Sequence, residues 1–123
     1  PSTHDMSTIR EWWEEDKYLT QHFYNMQLGQ QGEAPAHCEP WISRAIILQH
    51  LHSPAMLSIF QLQDLLGMTE SLRRPDAGEE RINVPANPKH YWKYRMHFPI
   101  EQLMKEKLFN AELKDFIKAS GRN

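Results

Sequence analysis

The sequence predicts a mainly helical chain with at most one or two short strands. Three observations predict it. Apolar residues return at helical spacing in four separate stretches, only one short run (Ala55–Phe60) is apolar at nearly every position as a buried strand is, and capping residues or prolines bound the helical stretches. A length of 123 residues leaves room for one modest domain and none for two.

The first helix is expected from about Thr8 to about Met26. Ile9, Trp12, Trp13, Leu19, Phe23 and Met26 form its stripe, and Thr8 with Glu11 matches the capping-box pattern, Ser7 being the alternative cap. Glu11, Glu14 and Glu15 favour the positive end of the helix dipole. Leu28 to Ala36 is rich in Gly, Gln and Pro and reads as a loop. Pro40 suits the first turn of a second helix, carried on by Trp41, Ile42, Ala45, Ile46 and Gln49 and stopped at Ser53-Pro54. With Ile47, Leu48 and Leu51 off that stripe, this helix should be buried on more than one side.

Ala55–Phe60 reads as a strand covered on both faces. Gln61–Gly67 then supplies a polar switch and one helical turn, with Gly67 as its C′ residue and Gln63 and Asp64 fixing it. Helix, buried strand and short helix in that order is the grammar of a βα unit. Thr69–Phe98, rich in Pro and charge, is a loop long enough to suggest function. Pro99 opens a further helix with Ile100, Leu103 and Met104 on one face. Asn110 is expected to cap a last one, with Leu113, Phe116 and Ile117 as its stripe and Gly121 ending it.

Composition narrows the function. A net charge of −2 with no long block of either sign gives no footing for nucleic acid or an anionic membrane. No apolar run approaches the roughly 20 residues that span a bilayer. The single cysteine, Cys38, cannot form an internal disulfide and fits a reducing, cytoplasmic setting. His50 and His52 point to different helix faces and His37-Cys38 lies in a Pro-flanked loop. Four convergent zinc ligands cannot be assembled from these, so neither metal nor other cofactor is expected.

The chemistry-bearing stretch is Ser2-Thr3-His4-Asp5, just ahead of the first helix. A carboxylate at such a place is how a parallel α/β barrel presents a catalytic or sugar-gripping acid at a strand end. The alternative is an Asp or Ser capping the helix. The chain reads as cut rather than begun, with no initiator methionine and no strand leading into Thr3.

Thr3-His4-Asp5, Gln63-Asp64-Leu65-Leu66-Gly67, Arg81-Ile82-Asn83-Val84-Pro85 and Trp92-Lys93-Tyr94-Arg95 resemble, in order and spacing, the C-terminal part of the 4-α-glucanotransferases. These are the amylomaltases or disproportionating enzymes of glycoside hydrolase family 77. Asn83-Val84-Pro85-Ala86-Asn87 departs from the bacterial Asn-x-Pro-Gly-Thr form and is similar to the plant cytosolic-type subgroup. The resemblance implies the last quarter of a (β/α)8 barrel. Such a barrel needs on the order of 250 residues, so residues 1–123 are expected to form a single segment of one, folding as a helical cluster.

The same resemblance implies an α-1,4-glucan or malto-oligosaccharide substrate. It makes Asp5 the third carboxylate of the site and His4 a sugar contact, the plainer reading of His4 being a loop histidine that orients Asp5. The catalytic pair lies outside the chain, so the segment alone is expected to be inactive. Asn83 is either a sugar contact or a turn residue ahead of Pro85. Trp92 and Tyr94 are expected as core anchors rather than as flat faces for glucose, and Arg95 as the partner of a structural carboxylate or of carbonyls. Some self-association is expected, through a patch of Trp12, Trp13, Ile59 and Phe60. The alternative from a different class is a free-standing helical binding module whose long loop contacts a partner.

Overall fold

A computed structural model describes residues 1–122. Among them there are six α-helices, one 3-10 helix and no β-strand. The helices are α1 (Ile9–Glu15), α2 (Lys17–Met26), α3 (Pro40–Leu51), α4 (Leu62–Leu66), α5 (Ile100–Lys105) and α6 (Lys107–Ala119), and the 3-10 helix is Ala77–Glu80. The mainly helical class is as expected.

α1 starts at Thr8, whose hydroxyl accepts the Glu11 N–H. The single long helix expected to follow is two. Asp16 leaves helical geometry (φ −141°, ψ 102°), and its carboxylate accepts the N–H groups of Tyr18 and Leu19, ending α1 and capping α2 in one residue. The break re-phases the apolar stripe. Trp13 is buried and Phe23 packs against the core as expected, whereas Leu19 and Met26 face solvent and Thr20 and Tyr24 turn inward instead.

α3 is the central element. Ile42, Ser43, Ile46, Ile47 and Leu51 are buried along it, and it packs against α4 and α6. An α-helix carries its hydrogen bonds within itself, so it can be apolar on several sides at no polar cost.

Ala55–Phe60 is not a strand. It is irregular, with a bend at Met56 and no strand partner among the described residues, and Met56, Leu57 and Ile59 are exposed. A strand needs a neighbour for its backbone groups, and none lies beside it among the described residues. Side chains hold its entry instead. The Arg122 guanidinium donates to the carbonyls of Leu51, Ser53 and Ala55, and the Ser58 hydroxyl to that of His50. Arg122 is set there by a C-terminal cap in which Gly121 (φ +74°) donates to Lys118 and Arg122 to Ile117.

Three further expectations are corrected. Asn110 lies inside α6, its amide donating to the Leu103 carbonyl, because the chain re-enters helix at Lys107. Gly67 follows α4 with φ −57°, not in the left-handed region; its need is space, since a Cβ would stand 3.2 Å from the Asp64 carbonyl oxygen and 3.2 Å from Ser43 Oγ. The expected patch of Trp12, Trp13, Ile59 and Phe60 does not form as such. Trp13 is buried with its indole N–H on the Pro35 carbonyl, Trp12 and Phe60 are half-buried, and only Ile59 is exposed.

Candidate functional site

The segment ahead of α1 makes a tight turn, Thr3 to Met6, closed by the Met6 N–H on the Thr3 carbonyl. His4 and Asp5 stand at its tip, with about half of each side chain exposed to solvent (56% and 50%). Since Thr8 caps α1, Asp5 is free of that duty. Its carboxylate oxygen Oδ1 accepts the Asn83 amide at 2.7 Å, and Oδ2 lies 3.4 Å from His4 Nε2. The His4 ring tilts against the Trp92 indole, with centroids 5.3 Å apart. The three site residues nominated by the sequence therefore converge, and Trp92 joins them.

Buried polar groups set the base of the turn. Asp64 on α4 is 1% exposed and receives both ends of the segment: the Ser2 hydroxyl on one carboxylate oxygen and the Ile9 N–H, at 2.8 Å, on the other. Gln61 adds its amide to Ser2 Oγ. Burial pushes the Asp64 carboxyl above its ordinary value, and the two hydrogen bonds offset part of that.

The second arm carries Asn83. Arg10 of α1 is buried and donates to the Arg74 carbonyl and to the Glu80 carboxylate, which also accepts the Arg74 N–H. Gln63, next to Asp64 on α4, donates to the Glu80 carbonyl. Burial raises the Glu80 carboxyl against the opposing pull of Arg10. From that fixed point Arg81 reaches back, Nε on the Asn83 carbonyl and the guanidinium 3.5 Å from Glu11 and Glu15, while His90 bonds the Ile82 carbonyl. Asn83 precedes the Val84–Asn87 turn rather than forming it.

The sequence placed several of these groups wrongly. Gln63 and Asp64 fix two distant segments rather than their own helix. The available signal was an otherwise apolar five-residue helix carrying two adjacent polar side chains, which burial obliges to find partners. Arg95 is exposed, and its guanidinium makes no bond among the described residues. Tyr94 is half-buried under the Arg74 guanidinium as an anchor should be, but Trp92 is 57% exposed. Cys38 is buried with its thiol pushed up to about 11, which keeps it protonated and structural at neutral pH. Among the described residues no group of three or more His, Cys, Asp or Glu is placed to hold a metal ion.

The arrangement presents one carboxylate, one amide, one imidazole and one flat aromatic face on an open surface. A carboxylate and an amide side by side can accept from and donate to neighbouring hydroxyls of one sugar.

Comparison with known proteins gives the family. The family model described as 4-alpha-glucanotransferase, of glycoside hydrolase family 77, matches residues 1–102. The chain is 42% identical over 123 residues to a rice (Oryza sativa subsp. japonica) protein named 4-alpha-glucanotransferase DPE2, covering 100% of this chain and 13% of the relative. It is 29% identical over 99 residues to a chloroplastic/amyloplastic 4-alpha-glucanotransferase of potato (Solanum tuberosum), covering 76% of this chain and 14% of the relative. The chain thus spans about one seventh of the length of these relatives. No solved structure matches it.

Proposed function

Because the chain belongs to the 4-alpha-glucanotransferases of glycoside hydrolase family 77, we propose that it is the C-terminal part of such an enzyme's catalytic barrel. The parent moves α-1,4-glucan segments from one chain to an acceptor. Its setting is the cytoplasm, as in the plant cytosolic-type subgroup; among the described residues no helix is long and apolar enough to cross a membrane.

Retaining glycosyl transfer needs a nucleophilic carboxylate and an acid–base carboxylate. In this reading both come from outside residues 1–123, and Asp5 is a third carboxylate that grips sugar hydroxyls where the bond breaks. Its hydrogen bonds accelerate the reaction to the extent that they tighten as the ring distorts toward the oxocarbenium ion. Asn83 and His4 flank the same sugar.

One observation carries the reading: Asn83 donates to Asp5 at 2.7 Å across 78 residues of sequence. The test is Asp5→Asn in the full-length parent. Glucan transfer from maltotriose is expected to fall at least a hundredfold with the circular dichroism spectrum unchanged, and near-normal turnover overturns the assignment. The 123-residue chain alone, incubated with maltose and glycogen, is expected to redistribute no glucan.

A further inference from the structure

We infer that Trp92 is the platform on which a glucose ring of the substrate rests, its indole face against the apolar C–H face of the pyranose while Asp5, Asn83 and His4 take hydroxyls at the edge. This rests on the glucanotransferase reading and assigns a binding residue within it.

The four tryptophans divide sharply. Trp12 packs edge-on against Phe23, and Trp13 and Trp41 against Tyr24, all within or against the core. Trp92 belongs to no such cluster. It is 57% exposed, its one aromatic neighbour is His4, and its indole N–H has no acceptor among the described residues. Tyr94, two residues on, is already occupied beneath Arg74.

A pyranose is amphipathic in the same sense as this cluster: axial hydrogens make a face apolar and equatorial hydroxyls make the rim polar. Sites for such ligands combine an aromatic surface with a few placed polar groups. Here the imidazole in contact with Trp92 belongs to the residue beside Asp5, and Asp5 is bonded to Asn83. Flat surface and polar edge are therefore adjoining parts of one face.

Stacking of this kind holds ground state and transition state alike, so its loss raises KM and leaves kcat nearly unchanged. In the full-length parent, Trp92→Leu is expected to raise KM for maltotriose about tenfold with kcat within about twofold, and Trp92→Phe, which keeps a flat face, to stay within about threefold of the parent. An unchanged KM in W92L overturns the inference. Should W92L fail to fold, W92F decides. Maltotriose is expected to change the tryptophan emission of the parent more than that of W92F, the difference being the share of Trp92 among the chain's four tryptophans, and equal changes in the two overturn the inference. Asp5→Asn, measured alongside, separates the two proposals. An inactive D5N with an unchanged W92L removes the platform and leaves the glucanotransferase reading, whereas an active D5N with a raised KM in W92L removes the Asp5 role and keeps the platform.

Discussion

Gln63 and Asp64, consecutive residues of a five-residue helix, reach to opposite arms of the candidate site: Asp64 to Ser2 and Ile9, and Gln63 to the carbonyl of Glu80. One arm carries His4 and Asp5 and the other leads into Asn83. The distance between Asp5 and Asn83 is therefore set from below, by two buried side chains on one rigid turn, rather than by the exposed residues themselves.

Asp64→Ala tests that support. It leaves the buried Ile9 N–H and the Ser2 hydroxyl without their carboxylate and should cost about 1–3 kcal/mol in urea denaturation. In the full-length parent it should also lower kcat/KM by freeing the Thr3–Met6 turn.

Asp64→Asn isolates the charge. Burial raises the folded-state pKa of Asp64 above its ordinary 3.8, so between those two values the native state binds more protons than the unfolded one. The contribution of Asp64 to stability is then complete below 3.8 and is lost as pH rises through the folded value. Asparagine keeps the shape without the titration. Urea midpoints measured across acid to neutral pH should show D64N gaining on the parent chain as pH rises, and a gap that does not change with pH contradicts the raised value.

What could be read in the sequence follows from how local the determining physics is. Thr8 with Glu11, Pro40 and Gly121 act within a single turn of chain, and the helix ends they mark are where they were expected. Asp16 is equally local, but the apolar period runs on through it and hides the break. Ala55–Phe60 could not be judged locally, since whether an apolar run becomes a strand depends on a neighbour that no residue near it specifies. His4, Asp5 and Asn83 are nominated by the order and spacing of four family motifs rather than by any local pattern. Trp92 reads as a core anchor in the sequence but is exposed, because a count of aromatics does not say which face of a segment they take.

Gly67→Ala probes the contact between α4 and its neighbours. The backbone there is ordinary for alanine, so any loss comes from crowding: the added carbon meets the Asp64 carbonyl at 3.2 Å, Ser43 Oγ at 3.2 Å and Arg10 Cδ at 3.4 Å. The expected cost is about 1–3 kcal/mol in urea denaturation. A neutral or stabilising G67A indicates that α4 can shift, and with it the support beneath both arms.

Asn83→Asp places a second carboxylate against Asp5 at a site built for an amide donor 2.7 Å away. The bond is lost and two like charges take its place, which disfavours the doubly ionised form and raises the affinity of the pair for one proton. In the full-length parent, transfer at neutral pH should fall further in N83D than in Asn83→Ala, which removes the donor without adding repulsion and is expected to cost about tenfold, or ~1.4 kcal/mol. Acidification should restore part of the N83D loss, because a shared proton rebuilds a hydrogen bond between the two carboxyls. N83A has no such proton to gain, and its deficit should stay constant over the same range. If N83D and N83A fall equally and neither responds to pH, Asn83 does not act through Asp5, and the contact between them plays no part in the transfer.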